Sequence, residues 1–512
     1  MKNKLVFQIG CSSDKIDLFK LIAQQFNNTE FHVADGSIIE IICLDLPTKP
    51  IKDVLDACCL DAVSPETSIW LQEIDESNIK PDEGFGSLAP TLYAASPIVM
   101  MMWQGVAASM GFPKRGISWS DIVEKSFSDR RFRWGMTASD SLIGQLIILS
   151  MGADENNNYI DNRQLQSSEF KSKIRKIQRK VTYYSPNEIE LFNRVSKEGH
   201  DFLDLFISQE HLAIRFNKEN KNRLVIVSPE SGTIWADHPI AFWTRSGQSE
   251  SHIDAYRQFC TYLVSSDVQA FFLENGFHPI GPHIASFLSA ENKRIDYGLE
   301  NIRTSSANKS FNLSNDMSSA SIRDIFLSTK RNTNILLAVD TSSSMDGEKL
   351  ELVKQAIYKF ISNIGSDEDR FGLIRFDSHV EVLVRLKSLS VNRNDLLNAV
   401  KKLYSRGNTA LIDAIEVAYS SLLEYQDDDR INAIIVLTDG QENESKTSLE
   451  SLIFRMNEGN TYNIPVFTYG IAYGRDADQS TLQQIASATH GKVYFGDSTS
   501  IHDVWDFLSR MM

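Results

Sequence analysis

Cysteine is scarce in this chain: five in 512 residues, two of them the adjacent pair Cys58-Cys59. An odd number at that spacing does not make a disulfide framework, and no C-x-x-C pattern suggests a thiolate metal site. Cys11, Cys43 and Cys260 stand in apolar surroundings and read as small buried hydrophobes, so a reduced compartment is the simpler expectation. Long apolar runs are missing too, and nothing approaches the roughly 20 residues that a membrane-spanning helix needs. Positive charge is in deficit: 52 Lys and Arg against 67 Asp and Glu leave a net charge of −15. That balance speaks against nucleic acid or an anionic membrane as the main partner. The local basic run of residues 171–180 reads as a solvated helix face. At the amino terminus, Met1-Lys2-Asn3-Lys4 with the apolar stretch up to Gly10 and Cys11 imitates a lipoprotein signal. The stretch is too short for a signal core, and Gln8 interrupts it. The expectation is therefore a first β-strand and a cytoplasmic chain. The alternative is a cell-envelope or extracytoplasmic protein from which an export signal has been removed.

What is present is an ordinary globular composition, 42% hydrophobic and 23% charged, over a length that allows two to four domains. Up to about residue 285, short apolar runs alternate with helical patterns, which predicts a mixed α/β domain. Strands are expected at residues 4–9, 38–44, 98–102, 212–217, 224–227 and 240–243. Helices are expected near 16–27, 51–59, 119–125, 141–151, 164–178, 189–197 and 253–265. Residues 301–316 are polar and lack periodicity, as a linker does. Residues 322–327 suggest a short helix packed under the domain that follows. No internal repeat is visible.

The most informative stretch is Asp340-Thr341-Ser342-Ser343-Ser344, directly after the apolar run Ile335-Leu336-Leu337-Ala338-Val339. Such a run reads as a buried parallel strand, and ligands in open α/β sheets bind at the carboxyl ends of strands. An aspartate and two serines at alternate positions bring three oxygens to that end. Oxygen-only chemistry, with no His or Cys beside it, suits a hard cation such as Mg2+. Gly407-Asn408-Thr409 precedes a second apolar-faced stretch, and Ala433-Ile434-Ile435-Val436-Leu437-Thr438-Asp439-Gly440 is another buried strand ending in an aspartate. In this order the three segments resemble the von Willebrand factor A family and its metal-ion-dependent adhesion site, over residues 332–512. The resemblance implies that Asp340, Ser342, Ser344, Thr409 and Asp439 hold Mg2+, or another divalent ion such as Mn2+ or Ca2+. It further implies that a carboxylate of a partner protein fills an open position on the ion. No Ser-His-Asp arrangement and no general base accompany these residues, so a binding site is expected and not an enzyme.

The first part of the chain carries Ser64-Pro65-Glu66-Thr67-Ser68-Ile69-Trp70, Ser96-Pro97-Ile98-Val99 through Trp103, and Gly116-Ile117-Ser118-Trp119. Farther on come Ser231-Gly232-Thr233-Ile234-Trp235-Ala236-Asp237-His238-Pro239 and Gly276-Phe277-His278-Pro279. In this order they resemble bacterial extracellular solute-binding proteins of the type II periplasmic fold, in the branch that carries a von Willebrand A domain on the same chain. That resemblance implies two lobes, roughly 1–95 with 210–285 and 96–209, and a ligand cleft between them. Ser12, Ser13, Ser68 and Ser141 stand at loop-to-helix junctions, where helix amino termini favour anions, and are the candidate cleft ligands. Each would serve equally as a helix cap, and His238 reads as a brace. Where relatives show Thr, Pro and then Ser-Asn-Ser-Gly, this chain has Thr137-Ala138-Ser139-Asp140-Ser141-Leu142-Ile143-Gly144.

The expected architecture is α/β: a two-lobed type II periplasmic-binding-protein-like domain at 1–285, a linker with a short helix at 286–331, and a doubly wound, Rossmann-like von Willebrand factor A domain at 332–512. The expected function is non-enzymatic, a module for a small solute joined to a Mg-dependent protein-binding module. The alternative is an intracellular assembly or regulatory factor whose A domain serves an ATPase or maturation complex, with a degenerate solute-binding module.

Overall fold

The structure is a computed structural model that describes residues 3–46, 59–71, 84–85, 88–129, 131–153, 159–245, 248–280, 311–314, 317–363, 366–425, 427, 429–462, 465–502, 504–505 and 508. The chain divides into two compact units: Met1–Ile177 with Tyr183–Thr329, and Gln178–Thr182 with Lys330–Met512.

The first unit is built on two sheets. Strands β1 (Lys4–Cys11), β2 (Ile38–Asp45), β3 (Ala62–Ser64), β4 (Thr91–Leu92) and β12 (Pro239–Phe242) form one, in the order β2-β1-β3-β12-β4. The other runs β10-β5-β9-β6-β8. It comprises β5 (Ala94–Trp103), β6 (Trp134–Thr137), β8 (Tyr183–Ser185), β9 (Leu205–Gln209) and β10 (Leu224–Val227), with β11 (Trp235–Ala236) and β13 (His278–Pro279) also paired to β5. The core of the first sheet is aromatic: Phe7, Phe19, Phe26, Phe242, Tyr256, Phe259 and Phe272 share one buried cluster. In the second, the helix Leu142–Gly152 is apolar all round and buried at every residue, as a helix enclosed between layers must be. Its first turn presses on the preceding loop, where a Cβ on Gly144 would meet the Ala138 carbonyl oxygen at 2.1 Å. Only glycine fits there.

Three expectations for this unit are corrected. The strand expected at 212–217 is the middle of the helix Glu210–Glu219. The apolar run Leu205-Phe206-Ile207 just before it fills the strand slot beside β5, and short apolar runs do not by periodicity alone separate strand from buried helix. The single helix expected at 164–178 is two, Asn162–Gln166 and Ser168–Gln178, because Ser167 adopts an extended conformation and its hydroxyl accepts from the Phe170 amide. The short helix expected under the second domain is Ser319–Thr329. It packs instead on Leu142–Gly152, with Phe326 against the Tyr184 ring at 5.4 Å. Its apolar face, Ile322, Ile325 and Phe326, is buried within the first unit. Of the expected linker, β14 (Asn312–Leu313) pairs in parallel with β7 (Tyr159–Ile160). Residues 301–310 and 315–316, and 51–58 of an expected helix, lie outside the described residues.

The second unit holds a six-stranded sheet in the order β17-β16-β15-β18-β19-β20. The strands are β15 (Thr333–Asp340), β16 (Arg370–Phe376), β17 (Val380–Ser388), β18 (Ile431–Thr438), β19 (Val466–Tyr473) and β20 (Lys492–Gly496), parallel except for the edge strand β17. All eight residues of β15 and all eight of β18 are buried. That is why these strands read as continuous apolar runs: both faces are covered by helices. Leu336 and Ala338 lie in one buried cluster with the helix Leu411–Leu423, which packs on β15, and with the helix Gln479–Ala488, which packs on β19 and β20. On the other face, Phe360 of the helix Glu348–Asn363 packs on Phe371 and Trp505. The chain leaves β15 toward β16 on one side and returns to it with β18 on the other, so the carboxyl ends of β15 and β18 flank the point where the strand order reverses.

Candidate functional site

Three loops meet at that point. The Ser343 amide donates to the Gly407 carbonyl at 3.0 Å, and the Arg406 amide to the Thr341 carbonyl at 2.8 Å. The Thr409 amide donates to Asn443 Oδ1 at 3.0 Å, while the Asn443 amide returns a bond to the Thr409 carbonyl. The five oxygen-bearing side chains expected from the sequence are thereby brought to one place. Ser342 Oγ and Ser344 Oγ are 2.9 Å apart, and Ser344 Oγ donates to Asp439 Oδ1 at 2.6 Å. Asp340 is fully buried and accepts from the Ser342 amide at 2.8 Å and from Thr438 Oγ1 at 2.5 Å. Burial pushes its carboxyl up to about 6, against the bonds from Thr438 and Ser342 that pull it down. Thr409 Oγ1 and Ser344 Oγ lie 3.1 and 3.4 Å from the position a Cβ on Gly440 would take. The glycine keeps that space open between them.

Two groups here were missed in the sequence. Thr438 precedes Asp439 and holds Asp340. Lys349, in the first turn of Glu348–Asn363, donates from Nζ to Asp439 Oδ2 at 2.5 Å with its side chain 45% exposed. A basic residue nine positions after Asp340, behind a Gly and an acid, was the available signal. The donor set fits a divalent cation: two carboxylates and three hydroxyls, all hard oxygens, converge where positive charge is already drawn in from Lys349.

The cleft serines of the first unit are differently placed. Ser12 is buried; its hydroxyl donates to Asp14 Oδ1 at 2.6 Å and accepts from Lys15 Nζ at 2.5 Å. Ser68 donates to the Asp237 carboxylate through both its amide and its hydroxyl. Ser141 caps the helix Leu142–Gly152. Ser13 is half-buried beside Ser12. Among the described residues no hydrogen bond joins Ser12, Ser68 and Ser141 to one another.

What gathers between the two sheets is a charged cluster that the sequence reading passed over. Asp14 and Lys15 follow β1; Gln209 ends β9, and His211 opens the helix after it. Lys15, fully enclosed, donates to Ser12 and to the Pro65 carbonyl at 2.8 Å, and its Nζ lies 3.3 Å from His238 Nδ1. Asp14 Oδ2 accepts from Gln209 Nε2 at 3.3 Å and stands 3.4 Å from His211 Nε2. Burial alone would raise the Asp14 carboxyl, but Lys15, then His211 and His238, outweigh it and hold it well below the carboxylate range. Burial first, then Lys15, drive His238 well below the usual imidazole value, and burial lowers His211. Asp14, His211 and His238 bring potential metal-ligating atoms within 4.8 Å of one another. The Lys15 ammonium supplies the cation there. Because an ammonium only donates, His238 Nδ1 must accept, which puts the ring proton on Nε2 and takes that nitrogen out of ligation.

The family described as bacterial extracellular solute-binding protein matches residues 59–278, and the family described as von Willebrand factor type A domain matches residues 334–506. The uncharacterized protein sll0103 of Synechocystis is 28% identical over 180 residues, 35% of this chain and 41% of that one. Inter-alpha-trypsin inhibitor heavy chain H1 of Sus scrofa is 27% identical over 173 residues, 32% of this chain and 19% of that one. This chain thus spans less than half the length of either relative. Among solved structures, the sulfate-binding protein SubI of Mycobacterium tuberculosis covers 56% of this chain and 91% of its own at 14% identity, with a TM-score of 0.42. No helix among the described residues is long and apolar enough to cross a membrane.

Proposed function

The chain joins a bacterial extracellular solute-binding protein domain to a von Willebrand factor type A domain, and from that premise we propose that it is a non-enzymatic docking protein. Asp340, Ser342, Ser344, Thr409 and Asp439 would hold Mg2+, with Mn2+ or Ca2+ as substitutes. When bound, the ion offers an open coordination position to an Asp or Glu carboxylate of a partner protein. The observation that carries the reading is the convergence of these five oxygen donors, from three loops stitched together by backbone bonds, around the space that Gly440 leaves open. Ser342 orients toward Ser344 and Ser344 toward Asp439, while Thr438 and the Ser342 amide fix the Asp340 carboxylate.

In this reading the solute-binding domain is a mount for the docking module and not a carrier of a small solute. Support comes from the cleft, where Ser12, Ser68 and Ser141 are each bound to neighbouring groups of the same chain. The test is co-precipitation of partner proteins by the full chain in Mg2+ and in chelator, with Asp340→Ala alongside. Capture should require the divalent ion and fail in the variant. Partners retained in chelator and by Asp340→Ala would show that another surface does the recognising.

A further inference from the structure

The Asp14 carboxylate lies among donors drawn from both sheets of the first unit. Ser12 Oγ and Lys15 follow β1 of the first sheet, while Gln209 Nε2 and His211 come from the end of β9 and the helix beyond it in the second. The Ser12 hydroxyl is 2.6 Å from Asp14 Oδ1, and the Lys15 ammonium is 3.8 Å from the same oxygen. The other oxygen faces the Gln209 amide and the His211 imidazole. A hydroxyl, an ammonium, an amide and an imidazole around one carboxylate are what a binding site for a small anion provides. Here the anion is covalently part of the chain.

We infer that Asp14 is a tethered ligand: its carboxylate fills a latent oxyanion pocket between the two sheets of the first unit and holds them together without any bound solute. The inference rests on the reading of this domain as a mount, and it names the chemistry underneath that reading.

Three further observations bear on it. Lys15 meets three acceptors, Ser12 Oγ, the Pro65 carbonyl and His238 Nδ1, one for each of its N–H groups. Two of these, the Pro65 carbonyl and His238 Nδ1, hold it without a hydrogen bond to Asp14, so the positive side of the pocket should survive loss of the carboxylate. Second, Gln209 is fixed from behind, since its Nε2 also donates to Glu188 Oε2 at 2.8 Å, and its backbone N–H donates to Glu188 Oε1 at 3.3 Å. Third, His211 is stacked on Phe277 at 4.0 Å, and its Nδ1 lies 3.1 Å from Ser96 Oγ, so the ring that faces Asp14 is locked from its other side. Apart from the Ser12 hydroxyl, the groups that preorganise the pocket are not hydrogen-bonded to the carboxylate. A free carboxylate of one or two carbons matches the side chain that Asp14 contributes.

The test uses the full chain with Asp14→Gly, which removes the carboxylate and leaves its volume open, and formate, acetate and sulfate as probes against chloride at matched ionic strength. The variant should melt below wild type. Formate and acetate should raise its melting temperature saturably, recovering more than half of the loss, while chloride does not. Adding Lys15→Met should abolish that rescue. A folded Asp14→Gly protein with no response to formate or acetate beyond that to chloride overturns the tethered-ligand inference and leaves the mount reading standing. Saturable uptake of any of the three anions by the wild type, seen by calorimetry, overturns the mount reading instead. If Asp14→Gly does not fold, Asp14→Asn keeps the shape but not the charge. Hydrogen exchange should then rise together in residues 12–16 and 205–211, and unchanged exchange in both segments refutes the lock.

Discussion

Lys349 gives the proposed metal site a counter-cation of its own, and replacing it has a calculable consequence. The ammonium sits 2.5 Å from Asp439 Oδ2, on one of the five residues proposed to hold the ion, with 45% of the side chain exposed. A divalent ion must displace that contact. Asp439 is buried but Lys349 is half open to water, so the range for surface pairs, roughly 0.2–1 kcal/mol, serves as a lower bound for this contact. Once displaced, the ammonium still faces a doubly charged ion. At about 6 Å in a water-like dielectric the repulsion is about 1.4 kcal/mol, reduced by salt and by the freedom of a half-exposed lysine to swing away. With the repulsion cut to about 0.3–0.4 kcal/mol by those effects, the two terms together oppose metal binding by about 0.5–1.4 kcal/mol, so Lys349→Met should bind Mg2+ roughly 2- to 10-fold more tightly. Metal-free Lys349→Met should be slightly less stable than wild type, because Asp439 loses its partner, and the stabilisation by saturating Mg2+ should be larger. Calorimetric titration of the full chain measures the affinity, and melting in Mg2+ and in chelator measures the stability. Lys349→Arg, which keeps the charge, should behave as wild type. An equal or weaker Mg2+ affinity in Lys349→Met would refute the competition between ammonium and ion.

Asp340→Ala should abolish the Mg2+-dependent rise in melting temperature, which in wild type corresponds to about 2.7 kcal/mol at a hundredfold excess over Kd; the same rise in the variant would remove Asp340 from the ligand set. Gly440→Ala places a methyl 3.1 Å from Thr409 Oγ1 and 3.4 Å from Ser344 Oγ, so Mg2+ affinity should fall while metal-free melting barely changes, and an unaltered titration would count against the space at Gly440. Burial and the Asp14 charge push the Glu66 carboxyl from 4.5 up to about 7. Between those values the native state holds a proton that the unfolded chain has released, so this group makes stability fall as pH rises through the window. Glu66→Gln should flatten that part of the melting profile, and identical slopes for the two proteins would show that Glu66 does not titrate there.

Much of the second unit was legible because its signals are local. Ile335 to Val339 and Ala433 to Leu437 are apolar at successive positions, as strands covered on both faces are, and each ends at the aspartate that the sheet presents. The hydroxyls of Ser342 and Ser344 follow within four residues, so spacing brought them to that strand end, while the full ligand set came from the resemblance to the von Willebrand factor A family. Thr438 and Lys349 escaped because their roles depend on partners 98 and 90 positions away. In the first unit the signals are non-local. The run at 212–217 satisfied a strand template, but the competing run at 205–209 took the place between β5 and β6, a tertiary decision that no window contains. The helix Ser319–Thr329 likewise looked like a companion of the domain next to it in sequence, and its apolar face found Leu142–Gly152 instead.

The two strand ends that carry serines show why residue type and position were not enough. Ser12 after β1 and Ser342 after β15 stand in equivalent places, at the carboxyl end of a parallel strand next to the start of a helix. Their different fates follow from the cation each neighbourhood supplies. Lys15 is enclosed, with three acceptors that fix it, and its charge is balanced by Asp14 within the same loop. Expelling it would leave Asp14 buried without its counter-charge, a loss that a solute would have to repay from its own contacts. Lys349 lies at the rim on a half-exposed arm and can return to water with little penalty. A site whose counter-cation is free to leave can exchange it for an ion from solution; a site whose counter-cation is walled in cannot. By that criterion the site proposed in the second unit would stay open to exchange with solvent, whereas the pocket inferred in the first would be part of its own core.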